Sequence, residues 1–541
     1  MNNKKSRESG AKSFMSGVMV LSLSTLIVKV IGLAFKIPML SFLGTEGMGY
    51  FNSAYEIYAL LCVISTAGLP VALSMLVSAS RVRNNGVEVE RAYSTARALF
   101  FILGASGTAV MLCFSEQIAL FIGNPNAKLS IIAIAPALLF ICLASAIRGY
   151  CQGFENMTPT ALSQLIEALS KLLFGIAFAS FALKTKRQIP EVAAFAVLGI
   201  TLGTFLSLVY LYFARKKHAI YKEKNIAPQK NHDIIKQLLS IAFPITLGSA
   251  VIGLTRIIDM TLIMRRLSHI GFSVAEANRI YGAYTTLALP VFSLIPALIT
   301  PVSMALVPQL SAYLEIKNRE GEQRAVETSL RLTVLFAMPA SLGLAVFSRQ
   351  ILELLFSGQN EAIEISAPLL SLLAASVLFS CIMTTTNAIL QSYRRVYLPI
   401  ISMAVGVVIK IVTSYLLIGN PSVRALGAPI GSLLCNFSVA LINIYFTYRH
   451  SKGEVDTFRI FFKPLFASAL AVGVSELAYV WLEQAEINRA LQLFIAILVA
   501  LAIYVGACFI MRIITADDIA LLPFADRFNL KKNRGVKNDG L

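Results

Sequence analysis

The stretch FMSGVMVLSLSTLIVKVIGLAFKIPMLSFL, Phe14 to Leu43, decides the fold class. It is apolar apart from scattered small polar residues and two lysines, and it exceeds the roughly 20 residues a helix needs to cross a bilayer. Lys29 lies near its middle and Lys36 toward its far end. At seven positions apart they share one helix face, about 10 Å from each other along the axis. A cation at bilayer depth costs about 2.5–3.5 kcal/mol even on the lenient insertion scale, and the stretch holds no acid to offset either one. A face carrying both is expected to look into a polar cavity rather than into lipid. The segment before it, MNNKKSRESGAK, is basic. The apolar run is too long for a signal peptide and lacks a small-residue cleavage site, so a retained first span with a cytoplasmic N-terminus is expected.

The rest of the chain shares this character. Of 541 residues, 57% are hydrophobic and 14% charged, with a mean hydropathy of +0.72. Soluble proteins carry about 25% charged residues, so the expectation is an all-α polytopic membrane protein. Hydropathy marks about fourteen transmembrane helices. Their expected bounds are 14–43, 51–80, 92–114, 128–150, 160–183, 191–214, 237–264, 280–311, 329–356, 364–391, 398–418, 425–447, 462–482 and 490–511.

The net charge of +18 does not point to nucleic acid, because the basic residues lie mostly between the apolar runs. Arg81, Arg83 and Arg91, then Arg215 to Lys217, Arg394 and Arg395, and the tail residues Lys531, Lys532, Arg534 and Lys537 all fall in loops expected inside. That pattern follows the positive-inside rule and places both termini in the cytoplasm. Two expected outside loops disagree, one with Lys184, Lys186 and Arg187, the other with Arg265 and Arg266. The only tryptophan, Trp481, ends a span as an interface anchor would.

The seven cysteines form no CxxC pair or metal spacing and read as small core hydrophobes. The four histidines, 218, 232, 269 and 450, fall in expected loops. No Walker A loop, HExxH or serine elbow is present. These observations imply no enzyme, no nucleotide-driven pump and no cofactor.

Residues 215–236 form a long polar loop that divides the first twelve spans into six and six. Gln152 precedes Lys171 by the same spacing with which Gln391 precedes Lys410. Pro159 and Pro399 fall one position out of that register, and Pro70-Val71 matches Pro301-Val302 at a similar offset. On that offset Lys29 falls at or beside Asp259. Two pseudo-symmetric six-helix lobes are therefore expected, 1–214 and 237–450, joined by a cytoplasmic linker at 215–236. Residues 451–541 would add two C-terminal helices and a basic tail.

Charges inside the spans carry the functional information. Glu167 and Lys171 stand four apart, with the acid first, which suits a helical ion pair. Arg256 and Asp259 stand three apart, and Glu56 has Lys36 as its nearest expected partner. Lys29 and Lys410 have no partner on their own helices. Arg148 lies toward a span end, where a long cationic side chain can snorkel to the interface. Substrate contact is expected from Lys29, Lys36, Arg148, Lys171, Arg256 and Lys410, with Glu56, Glu167 and Asp259 as coupling or ion-pair acids. An excess of buried cation suits a phosphate or diphosphate. Prolines such as Pro38, Pro70, Pro136, Pro244, Pro290, Pro296, Pro301 and Pro339 mark places where helices bend.

The run RGYCQGFENMTPTALSQLIEALSK, Arg148 to Lys171, resembles the polysaccharide-biosynthesis and lipid II flippase branch of the multidrug/oligosaccharidyl-lipid/polysaccharide exporter superfamily. Within it the likeness is to the stage V sporulation protein B type. GLPVALSMLVS at Gly68–Ser78 and YGAYTTLALPVFSLIPALITPVSMALVP at Tyr281–Pro308 resemble the same group.

The resemblance implies flipping of an undecaprenyl-diphosphate-linked saccharide across the bacterial plasma membrane by alternating access, by a monomer. It also implies that Lys29 and Lys36 match basic residues of a first span facing the central cavity, as lysine where arginine is usual. Asp259 matches an acid that joins a sodium site in some members. Lys410 stands where others have acidic or amide groups, so its ammonium is expected to replace a bound sodium near Asp259, and coupling to sodium or proton stays open. The last two spans resemble a pair that forms a groove for the prenyl tail. The alternatives are a multidrug or cation antiporter of the same superfamily and a membrane glycan-transferase.

Overall fold

As one straight helix, the apolar run Leu23–Arg81 of 59 residues would measure about 90 Å, some three times the hydrocarbon core of a bilayer. It is not one straight helix. Gly44 has φ 62° and ψ −177°, in a region that glycine enters without a Cβ clash. The break falls between the first two spans expected from hydropathy. In the structure, a computed structural model, the described residues are 2–83, 85–216, 230–395, 397–451, 458–484, 488–511 and 513, with side chains described from Leu23 except at 82, 252, 301, 302, 304, 305, 308, 309 and 312. The tail lysines and most of the 215–236 linker lie outside them.

The longer helices are α1 (Asn2–Thr66), α2 (Leu69–Val82), α3 (Gly86–Cys113), α4 (Lys128–Gly153), α5 (Thr158–Lys184), α6 (Ile189–Lys216), α7 (Asn231–His269), α8 (Val274–Ala283), α9 (Leu289–Glu315), α10 (Arg319–Val346), α11 (Asn360–Ser392), α12 (Tyr397–Ile418), α13 (Gly427–Ser451), α14 (Lys463–Gln484) and α15 (Arg489–Ile510), with two short ones at Ser115–Phe121 and Ser348–Leu355. A single π-helical turn, Tyr284–Ala288, joins α8 to α9. Among the described residues, 13 helical runs are long and apolar enough to cross a membrane, the first of them holding both expected opening spans. The chain is therefore an all-α, multi-pass membrane protein. The eighth expected span, 280–311, is longer in the structure. It starts at Val274 behind a capping box made by Ser273 and Glu276 and continues to Glu315.

Packing groups the chain into two compact units. The first comprises Met1–Leu294, Leu355–Leu370 and Met403–Ser432. The second comprises Ile295–Leu354, Ser371–Ser402 and Leu433–Leu541. This is a division by contact, distinct from the division by sequence repeat.

Within the first unit α8 lies almost backbone to backbone on α1. A Cβ at Gly282 would stand 1.8 Å from the Thr45 carbonyl oxygen, so only glycine permits the approach. The second unit has an aliphatic core that includes Leu306, Leu310, Val326, Leu330, Val334 and Ile389. The C-terminal helices are fixed to α10 there: Ala467 and Ala507 pack near Leu335, and the Tyr504 hydroxyl donates to the Leu335 carbonyl at 2.7 Å.

The three arginines among the loop cations that broke the positive-inside pattern are occupied locally. Arg266 donates through Nε to the Tyr415 carbonyl at 3.1 Å and covers the Tyr415 ring at 4.1 Å. Arg265 lies 5.3 Å from the Phe121 ring centre, and Arg187 stands 3.4 Å from Glu191. Trp481 is exposed at its span end. Of the cysteines, five are buried and Cys113 is exposed, all as free thiols.

Candidate functional site

Pro290 is the sequence feature from which the site is built. Proline has no N–H and its ring collides with the carbonyl four residues back, here that of Thr286. The helix responds with the π turn: the Leu289 N–H reaches back five residues to the Tyr284 carbonyl. That leaves the Thr285 carbonyl without its usual donor, Leu289, while the next residue along is Pro290 and can donate nothing. A buried carbonyl is seldom left unpaired. Lys36 supplies the donor, with Nζ 2.7 Å from the Thr285 oxygen. Asn52, also on α1, donates through Nδ2 to the hydroxyls of Thr285 and Thr286, both at 2.9 Å.

The other candidate cations belong to the same compact unit, and their partners differ from those the sequence suggested. Glu167 does not pair with Lys171. It accepts from Arg148 at 3.1 Å, and Arg148 also reaches Ser163 at 2.9 Å and Ser207 at 3.1 Å. Arg148 is thus held inward instead of snorkelling, because a guanidinium can serve several acceptors at once.

Lys171 has no carboxylate within ion-pair distance among the described residues. Its ammonium sits among three rings, 4.9 Å from the centre of Phe35, 4.9 Å from Tyr55 and 5.7 Å from Phe51. These are cation–π distances, worth about 0.5–2 kcal/mol per ring depending on solvation. The cage forms because α5 packs on α1 at this level.

Arg256 and Asp259 do not pair with each other either. Arg256 stands 3.8 Å from Glu56, which leaves Lys36 to the Thr285 carbonyl. Asp259 is bound by Lys410 at 2.6 Å, and both side chains are about nine-tenths buried. A cross-helix pair wins over the neighbour on α7 because Arg256 points to the exposed side of the helix while Asp259 is buried. Lys29 is exposed, and Arg256 is its charged neighbour.

Three cations are therefore matched by three acids: Arg148 by Glu167, Arg256 by Glu56 and Lys410 by Asp259. Lys29, Lys36 and Lys171 carry no matching carboxylate among the described residues. The unit bears surplus positive charge at membrane depth.

A sodium ion at Asp259 does not fit this arrangement. An ammonium already occupies one carboxylate oxygen, and a second cation beside it would be repelled. The other oxygen, Oδ1, is buried without a hydrogen bond.

Sequence reasoning did not single out Phe35, Phe51, Tyr55, Asn52 or Thr285. The aromatic residues read as ordinary span residues. The one available signal was Pro290, whose missing N–H marks a freed carbonyl nearby.

With this geometry in view, comparison with known proteins is informative. Residues 14–314 match the family described as "Polysaccharide biosynthesis protein", and residues 282–416 match the MatE family. The chain is 24% identical over 527 residues to "Stage V sporulation protein B" of Bacillus subtilis, covering 96% of this chain and 99% of that protein. It is 25% identical over 470 residues to "Lipid II flippase MurJ" of Bacillus subtilis, covering 82% and 84%. Among solved structures, "Lipid II flippase MurJ, inward closed conformation" superposes with a TM-score of 0.70 at 16% identity, covering 91% of this chain and 98% of that one.

Proposed function

Because the chain belongs to the polysaccharide biosynthesis protein family, we propose that it is a flippase for a prenyl-diphosphate-linked saccharide. It moves the cargo from the inner to the outer leaflet of a bacterial plasma membrane by alternating access. One observation carries this reading: Lys29, Lys36 and Lys171 of one compact unit lack a carboxylate partner among the described residues, which leaves positive charge for a diphosphate to balance. Lys29 and Lys36 meet the diphosphate first, with Lys171 behind them. Arg148, Arg256 and Lys410 are already satisfied and act by holding the helices. The names and the near full-length match of the relatives, one of them a lipid II flippase, support an undecaprenyl-linked cell-wall or polysaccharide precursor.

Both termini face the cytoplasm, so the α1 break at Gly44 faces outside. Since Lys410 fills the place beside Asp259, membrane potential or protons drive the cycle rather than sodium. The MatE match keeps cation antiport as the second reading, but a site with surplus positive charge repels cationic drugs.

The test is depletion in the native bacterium, followed by mass spectrometry of lipid extracts. Accumulation of prenyl-diphosphate saccharide is expected, relieved by the wild-type chain and not by the Lys29→Gln/Lys36→Gln double variant at equal membrane abundance. Unchanged lipid-linked intermediates after depletion would refute the flippase reading.

A further inference from the structure

Lys36 has two claims on its ammonium. One is the cargo diphosphate proposed above, and the other is the Thr285 carbonyl freed by the π turn at Pro290. We infer that Lys36 is a cargo-released latch: without cargo it ties α1 to the π turn, and a diphosphate that captures the ammonium unties them. This inference rests on the flippase reading and adds how cargo binding is transmitted to the outer end of the first unit.

The latch lies in line with the contacts that close that end. Asn52, on the other side of the Gly44 break from Lys36, bonds Thr285 and Thr286 at 2.9 Å. Beyond it, Asn278 on α8 exchanges hydrogen bonds with Asn124 at 3.0 Å, and Asn124 also donates to Ser53 on α1 at 2.9 Å. Further out, Arg279 of α8 stands 3.9 Å from Glu46 and 3.6 Å from Glu361. Gln359 donates to Ser41 at 3.2 Å. Neutral amide and hydroxyl bonds of this kind contribute about 1 kcal/mol each, whereas a bond from a charged donor contributes roughly twice that. Lys36 is the one charged donor from α1 to the π turn among the described residues. An ammonium bound to a neutral carbonyl leaves for an ionised phosphoryl oxygen, because the second partner adds full charge attraction to the same hydrogen bond. Once it leaves, the Thr285 carbonyl is again without a donor, and α1 and the π turn gain by parting where water can reach it.

The experiment places cysteines at Ser41 and Gln359, with the exposed native thiol removed by Cys113→Ser, and measures the rate of disulfide formation in nanodiscs. Farnesyl diphosphate serves as the probe, with its binding measured separately on the same samples. Rapid cross-linking without ligand is expected, slowed about tenfold by saturating farnesyl diphosphate. Lys36→Met should cross-link slowly from the start and show no ligand response, and Lys36→Arg should restore both behaviours. Pro290→Ala returns a competing N–H to the turn, so it should slow cross-linking and, by freeing Lys36 from the Thr285 carbonyl, tighten farnesyl diphosphate binding.

If Lys36→Met cross-links at the wild-type rate, there is no latch. If the wild type binds farnesyl diphosphate with no change in rate, the latch is not cargo-released, and the flippase reading stands without it. If the wild type does not bind the probe, the diphosphate reading and the latch fall together.

Discussion

Two lysines occupy corresponding places in the chain, and the protein holds them in opposite ways. Lys171 follows Gln152 at the spacing with which Lys410 follows Gln391. Lys410 meets Asp259 across the helix gap at 2.6 Å. On the offset that matches Pro70 to Pro301, the position corresponding to Asp259 is Val28, beside Lys29, and Lys171 meets no acid among the described residues. It is instead surrounded by the rings of Phe35, Phe51 and Tyr55. One arrangement is a neutral pair, while the other keeps a positive charge that no carboxylate among the described residues matches. A ring cage stabilises an ammonium without cancelling its charge, whereas a carboxylate cancels it. The difference teaches that one helical scaffold can neutralise a lysine at one place and keep its charge at another. The choice is made by a single residue on the facing helix.

The largest expected effect attacks the neutral side of this comparison. Lys410→Ala strands the Asp259 carboxylate in a buried position, and breaking such a pair costs about 3–5 kcal/mol. Thermal unfolding in detergent should show a loss of that order, and the Lys410→Met/Asp259→Leu double variant should recover most of it. The same Lys410→Ala protein should gain sodium-dependent transport, because the carboxylate is then free for a small cation. An unchanged ion profile would count against the tethered-ammonium reading.

The positive side should respond the other way. Lys171→Met loses the three ring contacts together with the desolvation cost of an ammonium that has no acid partner; the two offset, so stability should change by less than about 1 kcal/mol while transport is lost. Tyr55→Leu removes one ring and should cost about 0.5–2 kcal/mol, read by the same melts. Equal destabilisation by Lys171→Met and Lys410→Ala would erase the contrast.

The smallest effect sets the baseline for ion pairs in water. Glu116, in the short helix Ser115–Phe121, and Lys128, at the start of α4, meet at 2.7 Å, both exposed, and Lys128 holds the Glu116 carboxyl below its usual range through that hydrogen bond. A depressed carboxylate stabilises above its unfolded pKa and loses that contribution as pH falls through the lower folded value. Solvent screening makes it slight. Glu116→Gln should leave the neutral-pH melt unchanged within error; a shift comparable to that of Lys410→Ala would mean that burial is not what separates the pairs.

The second unit supports the same division between neutralised and retained charge. Several of its interior polar groups close on one another: Thr333 and Thr385 meet at 2.6 Å, Ser303 joins Thr385 at 3.1 Å, and Asn443 donates to Asn387 at 2.8 Å. Arg331, nearly fully buried, is paired with Glu327 at 3.2 Å. Surplus charge belongs to the first unit, and so does the proposed work.

The sequence by itself determined the class of molecule, the number and rough bounds of its spans, and which residues bring charge to membrane depth. Those properties follow from runs of twenty or more residues, where transfer energies add up and local detail averages out. It also held Pro290, and with it the certainty of a displaced hydrogen-bond ladder. Only the tertiary structure decided the partners. Helical spacing offered Glu167 to Lys171 and Arg256 to Asp259, but such pairs contribute only a few tenths of a kcal/mol, and any better-placed, better-buried group on another helix outcompetes them. Which helix arrives alongside is set by packing far away in the chain, such as the close approach at Gly282, and that information does not reside in the neighbourhood of the charge.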